Sequence, residues 1–389
     1  MTPTGYPKIF FVLSALGLVV IVGGSMANPL LPLYAQSLGA SGVLVGLIIS
    51  SFFIMRTFIE LPSGYIADSA GRRIPIIIGI TLTLIASLWC GLATNAPQLI
   101  LARGLWGLGS SLFFCVTSTL IVDLFETERR GRALGTFQGI EFLGSLIGPL
   151  LGGYAALYLG FNMAFIVYAV ALCPPLAISV VSKDLRRFNR SQLGLAKTSL
   201  RASISRLGSR GLALACFSGF VVFFVENGVN STILPLYFNS QLGYDVSIIG
   251  LLMGIRSAGF ILACFLTGPL SDRLGRRFFL LVSAALYAST FLLLTQMAGF
   301  EALMALMVLL GVANGIVQVT LPVLAAEAVD PSIRGTAIGL YRTSFDVGAV
   351  VGPIATTLIL SSLGALPCFY TAALVMVANF ALALAIRKV

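Results

Sequence analysis

Long apolar runs separated by short polar turns make up almost the whole chain of 389 residues. An apolar run of about 20 residues can cross a bilayer as an α-helix. These runs are too long and too uniformly apolar for the alternating strands of a membrane β-barrel. The pattern predicts an all-α integral membrane protein with twelve spans, at about 9–35, 42–67, 75–94, 98–122, 132–157, 161–182, 211–239, 246–271, 278–299, 302–328, 336–361 and 366–386.

Composition supports a membrane protein. Hydrophobic residues make up 58% of the chain and charged residues 10%, whereas soluble domains carry about 25% charged residues. The first run exceeds the 7 to 15 residues of a signal-peptide core, so we interpret it as a retained helix. The cysteines all lie in apolar runs without paired metal-ligand spacing and are interpreted as packing residues, with no disulfide or metal site expected: Cys90, Cys115, Cys173, Cys216, Cys264 and Cys368.

Basic residues fall on one side of the predicted spans, and the loops on the other side contain no lysine or arginine. By the positive-inside rule, both termini are expected in the cytoplasm, with the protein in the plasma (inner) membrane. The net charge of +10 then describes a face that lies on anionic lipid. We therefore expect anionic lipid as a partner on this face and no nucleic acid.

Residues 183–210 form the one long polar stretch, with eight basic residues and a single acid, Asp184. We place a domain boundary here, with an N-terminal six-helix bundle at 1–182, a basic cytoplasmic linker at 183–210 and a C-terminal six-helix bundle at 211–389. Such a charge run is typical of a solvated linker on anionic lipid, and a specific regulatory site is the alternative.

One charged turn occurs twice, 204 positions apart, after the second and the eighth predicted span. The same register of 204 matches Asp123 with Glu327 and Gly148-Pro149 with Gly352-Pro353, and at an offset of 203 Leu31-Pro32-Leu33-Tyr34 matches Leu234-Pro235-Leu236-Tyr237. Two sets of six helices in the same orientation are typical of transporters whose halves surround a central cavity. The two copies of the turn contain Gly64, Asp68, Gly71, Arg72 and Arg73, and Gly268, Asp272, Gly275, Arg276 and Arg277.

These turns resemble the signature of the major facilitator superfamily: a glycine, an aspartate four residues later, then Gly-Arg-Arg. The resemblance covers essentially the whole chain and implies that family's fold, two pseudo-symmetric six-helix bundles. One departure is Ser69, where the family usually has a basic residue, as Arg273 provides in the second copy. The charge network of the first copy is therefore expected to be weaker.

The aspartates of both turns lie at helix C-termini, where the helix dipole disfavours a carboxylate. They need cationic partners or a helix N-terminus, and Arg130 and Arg334 precede spans five and eleven. In the superfamily these turns brace one half against the other, so the resemblance implies that Asp68 lies near span eleven and Asp272 near span five, as cytoplasmic latches. A turn that only fixes topology is the alternative.

Span five carries small residues at close intervals, which allow another helix to approach, and Pro149 predicts a bend. This stretch is similar to the antiporter motif of the superfamily's drug:proton branch, and this resemblance alone indicates export. It consists of Gly144, Gly148, Pro149, Gly152 and Gly153, with Gly131, Gly135 and Gly139 extending the stripe. Arg103 on span four is similar to a family arginine associated with proton transfer; a side chain that snorkels to the outer interface is the alternative.

Charges inside membrane spans are costly and hence candidates for function. The chain has no histidine, so a proton-coupled carrier would need a buried carboxylate that titrates near neutral pH. Glu226 is the first candidate because it lies near the middle of span seven and has no local partner. Glu141 is the second, followed by Asp346 and Glu60, which can each pair with an arginine four residues away, Arg342 or Arg56.

Enzyme activity is not expected, since no nucleophile and base converge in the sequence. No Gly-rich phosphate loop is present either, so an ion or substrate gradient is expected to drive transport, with no cofactor. The first hypothesis is a monomeric, proton-driven exporter of small amphipathic or cationic molecules. The alternatives are a carrier for a defined solute, such as a sugar or lipid-like molecule, and a non-transporting receptor or scaffold. Candidate cavity residues are Asn28, Tyr34, Gln138, Phe223, Asn227, Asn230, Tyr237, Arg256 and Arg342.

Overall fold

A computed structural model describes residues 7–186, 209–297, 299–330 and 334–385. Some side chains within these ranges are outside the description: those of 60–70, 122, 127, 128, 130–132 and 334–336. The described part of the chain is helical and contains no strand. The helices before the predicted linker are α1 Lys8–Ser37, α2 Val43–Ala70, α3 Arg73–Leu92, α4 Ala96–Leu124, α5 Thr127–Leu159, α6 Phe161–Ala171, α7 Cys173–Val181 and α8 Lys183–Arg186.

The helices after the linker follow the same plan. They are α9 Arg210–Val225, a π-helix Glu226–Ile233, α10 Leu234–Ser240, α11 Val246–Leu274, α12 Arg276–Leu294, α13 Phe300–Glu327, α14 Arg334–Leu363 and α15 Ala365–Ala385. Among the described residues, eleven helical segments are long and apolar enough to cross a membrane, and Val43–Ile59 adds a shorter apolar helix. The predicted all-α membrane fold is confirmed.

Contacts group the chain into two compact units. Unit 1 comprises Met1–Ala40, Ser51–Leu195 and Asp245–Gly250, and unit 2 comprises Ser41–Ser50, Ala196–Tyr244 and Leu251–Val389. The bundles predicted at 1–182 and 211–389 stay a prediction.

In unit 1, α1 packs closely along α5. A Cβ atom added at Gly148 would lie 2.5 Å from the carbonyl oxygen of Val22, and Gly144 and Gly152 likewise face the backbone of α1. At Gly135 and Gly139, by contrast, an added Cβ would meet no atom of the described chain within 4 Å. The small-residue stripe therefore supports close helix packing in the second half of α5 and not in its first half.

The span that begins at Arg210 changes its helical form in the middle. Proline has no N–H and its ring clashes with the carbonyl four residues earlier, so Pro235 disfavours regular α-helix over the preceding turn. The π-helix Glu226–Ile233 ends two residues before this proline, and the Thr232 hydroxyl donates to the Asn227 carbonyl five residues back, at 2.6 Å. π-Helical turns are uncommon and are frequent at functional sites.

Candidate functional site in the membrane interior

Glu226, the first residue of the π-helix, lies in a buried polar cluster in unit 2. One carboxylate oxygen, Oε1, accepts a hydrogen bond from Nη1 of Arg256 on α11, and the two side chains form an ion pair that is 12 to 13% exposed. The other oxygen, Oε2, accepts from Nδ2 of Asn230 at 2.8 Å and from the Tyr287 hydroxyl at 3.4 Å. The carboxylate is thus surrounded by donors from three spans.

The π-helix carries two members of this cluster, Glu226 and Asn230. Asn230 is four residues after Glu226, so its side chain reaches the carboxylate within the π-helix itself. Gly228 allows that helix to approach α14, since an added Cβ would lie 2.8 Å from the Gly352 carbonyl carbon. The Thr356 hydroxyl donates to the Gly228 carbonyl at 3.0 Å. The backbone that carries Glu226 is therefore fixed from the α14 side.

Other predicted cavity residues on this span are already engaged within unit 2. Asn227 is 8% exposed and its Nδ2 donates to the Phe223 carbonyl at 3.1 Å. Phe223 stacks on Phe345, with ring centroids 4.3 Å apart, and Tyr237 meets Phe369 edge-on.

Arg103 in unit 1 is buried beside aromatic rings. Its side chain is 5% exposed, and its guanidinium carbon lies 4.8 Å from the ring centre of Phe52 and 5.0 Å from that of Trp106. Its Nε and Nη1 atoms find no hydrogen-bond acceptor among the described residues. Cation–π attraction thus replaces a carboxylate partner here. The snorkelling alternative does not fit this degree of burial.

Glu141, also in unit 1, is a partly buried acid of another kind. Its Oε1 has no hydrogen-bond partner within the described ranges. A Cβ added at Gly17 would lie 3.5 Å from this oxygen and 3.1 Å from the Phe137 ring, so the acid faces α1 beside an aromatic residue. An ionised carboxylate without a partner is costly in such a place.

The remaining predicted interior residues are spread through the two units. Tyr34 is packed inside unit 1, where its hydroxyl donates to the carbonyls of Cys90 and Ala93 at 3.0 and 3.1 Å, an arrangement typical of a packing residue. Asp346 is 1% exposed. Asn28, Gln138 and Arg342 are exposed. The Glu60 side chain lies outside the described residues.

The two repeated turns form matching contacts within their own units. Arg72 pairs with Asp123 at 3.1 Å, and Arg276 pairs with Glu327 at 3.3 Å, both 51 residues apart. Asp272 pairs with Arg276 four residues later. Gly71 and Gly275 have φ angles of 76° and 87°, a conformation that favours glycine.

The second arginine of each turn serves as a helix cap. Arg73 donates to the Ser179 and Val180 carbonyls near the end of α7, and Arg277 to the Ala383 and Leu384 carbonyls near the end of α15. Cations stabilise helix C-termini in this way.

The latch hypothesis requires side chains that lie outside the described residues: Asp68, Arg130 and Arg334. It stays a prediction, as does the role of Gly64 and Gly268.

Sequence reasoning missed Asp123 and Glu327 as partners of the turn arginines, although the repeat register had matched them with each other. It also missed Tyr287 and the pairing of Glu226 with Arg256, for which the sequence carried no local signal.

Two overlapping stretches of the chain, 13–225 and 215–389, each match the family model described as "Major Facilitator Superfamily". The chain belongs to the major facilitator superfamily. It is thus an integral membrane transporter, as the repeated turns had indicated.

Curated relatives of this major facilitator protein cover nearly its full length. An uncharacterised MFS-type transporter of Methanocaldococcus jannaschii is 25% identical over 92% of both chains. The multidrug resistance protein MdtG of Enterobacter lignolyticus is 28% identical over 91% of this chain and 86% of that protein.

Solved structures agree on the fold. A bacterial homologue of the lysosomal transporter Spinster, inward-facing, aligns over 97% of this chain and 94% of its own with a TM-score of 0.75 and 16% identity. A POT family transporter aligns over 98% and 96% with a TM-score of 0.83 and 14% identity. At these identities the likeness concerns the major facilitator fold alone.

Proposed function

We propose that this transporter is a proton-coupled exporter of small amphipathic or cationic molecules that works by alternating access. The observation that carries the proposal is the buried pair of Glu226 and Arg256 on two different spans of unit 2. The relatives named as multidrug resistance proteins support export, and the pair supports coupling to protons.

A proton and Arg256 compete for the same carboxylate. When Glu226 is ionised, the guanidinium neutralises it, and Asn230 and Tyr287 complete the donor set. When Glu226 takes up a proton, the attraction to Arg256 is lost and the arginine needs another partner. Breaking a buried pair costs about 3 to 5 kcal/mol. A free energy of that size is sufficient to bias a two-state conformational equilibrium.

Glu141 is the second proton-binding candidate. Because its Oε1 lacks a partner among the described residues, its ionised form requires a compensating charge, which a cationic substrate would supply. In this scheme Glu226 couples the proton to movement, and Glu141 exchanges its proton for the cargo. Arg103, which rests on Phe52 and Trp106, keeps a fixed positive charge in the same unit as Glu141. Asp346 and Glu60 rank behind these two acids.

Apolar surface near the cluster supports export of varied molecules. The amide nitrogens of Asn227 and Asn230 are used within the span that carries them, while the Asn230 Oδ1 has no partner among the described residues. Stacked rings such as Phe223 and Phe345 offer apolar surface that tolerates different shapes.

Transport by purified protein in liposomes, with and without an imposed pH gradient, tests the proposal. A cationic dye should be transported by the wild type only when the gradient is present, and Glu226→Gln should abolish the dependence on that gradient. Glu301→Gln is the matched control, because Glu301 is an exposed acid in the first turn of α13. Normal dye transport with unchanged pH dependence in Glu226→Gln would refute the role of this acid.

A drug-susceptibility panel in cells separates the export hypothesis from the defined-solute alternative. Expression of the wild type should raise tolerance to several unrelated cationic compounds, and Glu141→Gln should reduce tolerance to cations more than to neutral compounds. Uptake of a single sugar or lipid-like molecule, without any change in tolerance, would favour the alternative.

A further inference from the structure

A basic cavity lies where three helices of unit 2 end or begin, on the face predicted to be cytoplasmic. It has a volume of about 320 Å³, at the lower end of the roughly 300 to 1,000 Å³ of small-ligand sites. Its walls come from the start of α9, the start of α12 and the end of α13. The charged lining residues are Arg210, Arg276, Arg277 and Glu327.

The cavity has an excess of positive charge. Three arginines line it, and two acids, Glu327 of the lining and the adjacent Asp272, both pair with Arg276. Arg277 uses Nε and Nη2 to cap α15. Arg210 is exposed, and in the described structure its side chain forms no hydrogen bond or ion pair. One full positive charge is thus available at the cavity and is not needed to hold the fold.

The adjoining backbone is also suited to an anion. Arg210 and Gly211 are the first residues of α9. The first amide groups of a helix have no acceptor within the helix, and the helix dipole favours a negative charge at this end. Ser209 caps only the amide of Leu212, at 3.5 Å. Leu324 and Ala328 add an apolar wall, which suits a ligand with both an anionic and an apolar part.

The preceding chain cannot neutralise this charge. Between positions 187 and 208 the sequence has five basic residues and no acid: Arg187, Arg190, Lys197, Arg201 and Arg206. This stretch therefore offers no carboxylate to the cavity.

We propose that this cavity binds a phosphate-bearing anion, through Arg210, Arg277 and the first amides of α9. Two sources share this chemistry, the headgroup of an anionic phospholipid and a soluble organic phosphate. Basic pockets between membrane helices on the cytoplasmic side are known to bind anionic headgroups. The site is distinct from the Glu226 cluster and does not depend on proton coupling.

Native mass spectrometry of the full-length protein in detergent, titrated with phosphatidylglycerol, tests this site. Arg210→Gln should weaken the tightest phosphatidylglycerol adduct about fivefold, the effect of one basic residue near a charged surface. Lys8→Gln is the matched control, because Lys8 is the exposed first residue of α1 as Arg210 is of α9, and it should leave that adduct unchanged. Glu327→Gln should strengthen binding, because one of the two acids beside the arginines is removed while Asp272 still pairs with Arg276.

The titrated ligands separate the two sources. Binding of phosphatidylglycerol but not of phosphatidylcholine or glycerol phosphate assigns the site to lipid. Binding of glycerol phosphate that displaces phosphatidylglycerol and depends on Arg210 assigns it to a soluble phosphate. Equal phosphatidylglycerol affinity in the wild type and Arg210→Gln, or equal losses in Arg210→Gln and Lys8→Gln, would overturn the proposal.

Discussion

Arg256 in unit 2 and Arg103 in unit 1 are both buried in membrane spans, yet their charges are balanced in different ways. Arg256 meets the Glu226 carboxylate, whereas Arg103 lies over the rings of Phe52 and Trp106. By the repeat register of 204, Phe52 is the counterpart of Arg256. The first half thus has an aromatic ring where the second half has a cation.

The other members of the Glu226 cluster also differ from the residues at the matching positions of the first half. Glu226 corresponds to Gly23 at the offset of 203, and Tyr287 corresponds to Thr83 at 204. The Tyr168 ring occupies the space beside Gly23. The two halves therefore share their turns and differ in their interiors.

Replacing each buried arginine by methionine should give the largest difference in stability between the two sites. Arg256→Met leaves the Glu226 carboxylate buried without its cation, so we expect a loss of about 3 to 5 kcal/mol in the free energy of unfolding. Arg103→Met removes a buried cation that has only rings beside it and should cost less than about 1 kcal/mol. Thermal unfolding in detergent measures both.

A double variant provides the control. Glu226→Gln combined with Arg256→Met removes both charges and should recover most of the stability that Arg256→Met loses. Equal losses for Arg256→Met and Arg103→Met would contradict the distinction between the two sites.

Replacing Gly23 by alanine should disturb the packing of the aromatic rings in unit 1. A Cβ atom there would overlap the Tyr168 ring, which stacks on Trp106 with centroids 5.3 Å apart. Overpacking of this kind typically costs about 1 to 3 kcal/mol. Gly24→Ala is the matched control, since an added Cβ at Gly24 meets no described atom within 4 Å. Tryptophan fluorescence and thermal unfolding together report the change, and identical melting of the two variants would argue against tight packing here.

The sequence predicts what depends on local pattern. Spans follow from apolar length, and the two turns follow from a repeat that includes Gly71 and Gly275. The pair of Glu226 and Arg256 could not be predicted, because the residues lie 30 positions apart on separate helices and their meeting depends on how those helices rotate. The π-helix could not be predicted from the proline that follows it either. Pro32 is the counterpart of Pro235, yet it lies within the continuous helix α1.

The turn arginines should behave alike in the two halves. Arg73→Gln and Arg277→Gln each remove a cap from the last carbonyls of a helix, α7 or α15. Because these side chains are partly exposed, we expect similar losses of roughly 1 kcal/mol. Hydrogen exchange at the ends of α7 and α15 measures the fraying. A loss confined to one half would extend the difference between the halves from their interiors to their turns.

The smallest expected effect concerns a carboxylate that has donors but little burial. Asp245, just before α11, accepts from the Ser247 hydroxyl at 2.6 Å and from the Ile248 and Ser247 amides at 3.0 and 2.9 Å. The hydrogen bond from the Ser247 side chain, followed by that from the Ile248 amide, lowers the pKa of Asp245 below its ordinary value of 3.8. Like Glu226, Asp245 accepts several hydrogen bonds, but its side chain is exposed.

A lowered pKa fixes the sign of the pH dependence. The stability that Asp245 contributes is fully present above the pKa of the unfolded chain and is lost as pH falls through the lower pKa of the folded protein. Asparagine keeps the helix cap but cannot titrate, so the wild type should lose its advantage over Asp245→Asn below about pH 4. Because the side chain is exposed, the difference should be a few tenths of a kcal/mol. Melting curves of both proteins between pH 6 and pH 3 measure it, and a difference that grows as pH falls would mean that hydrogen-bond donors do not stabilise this charge. Neutral hydrogen-bond donors alone would then be insufficient to stabilise the ionised Glu226 carboxylate, and its stabilisation would come from Arg256.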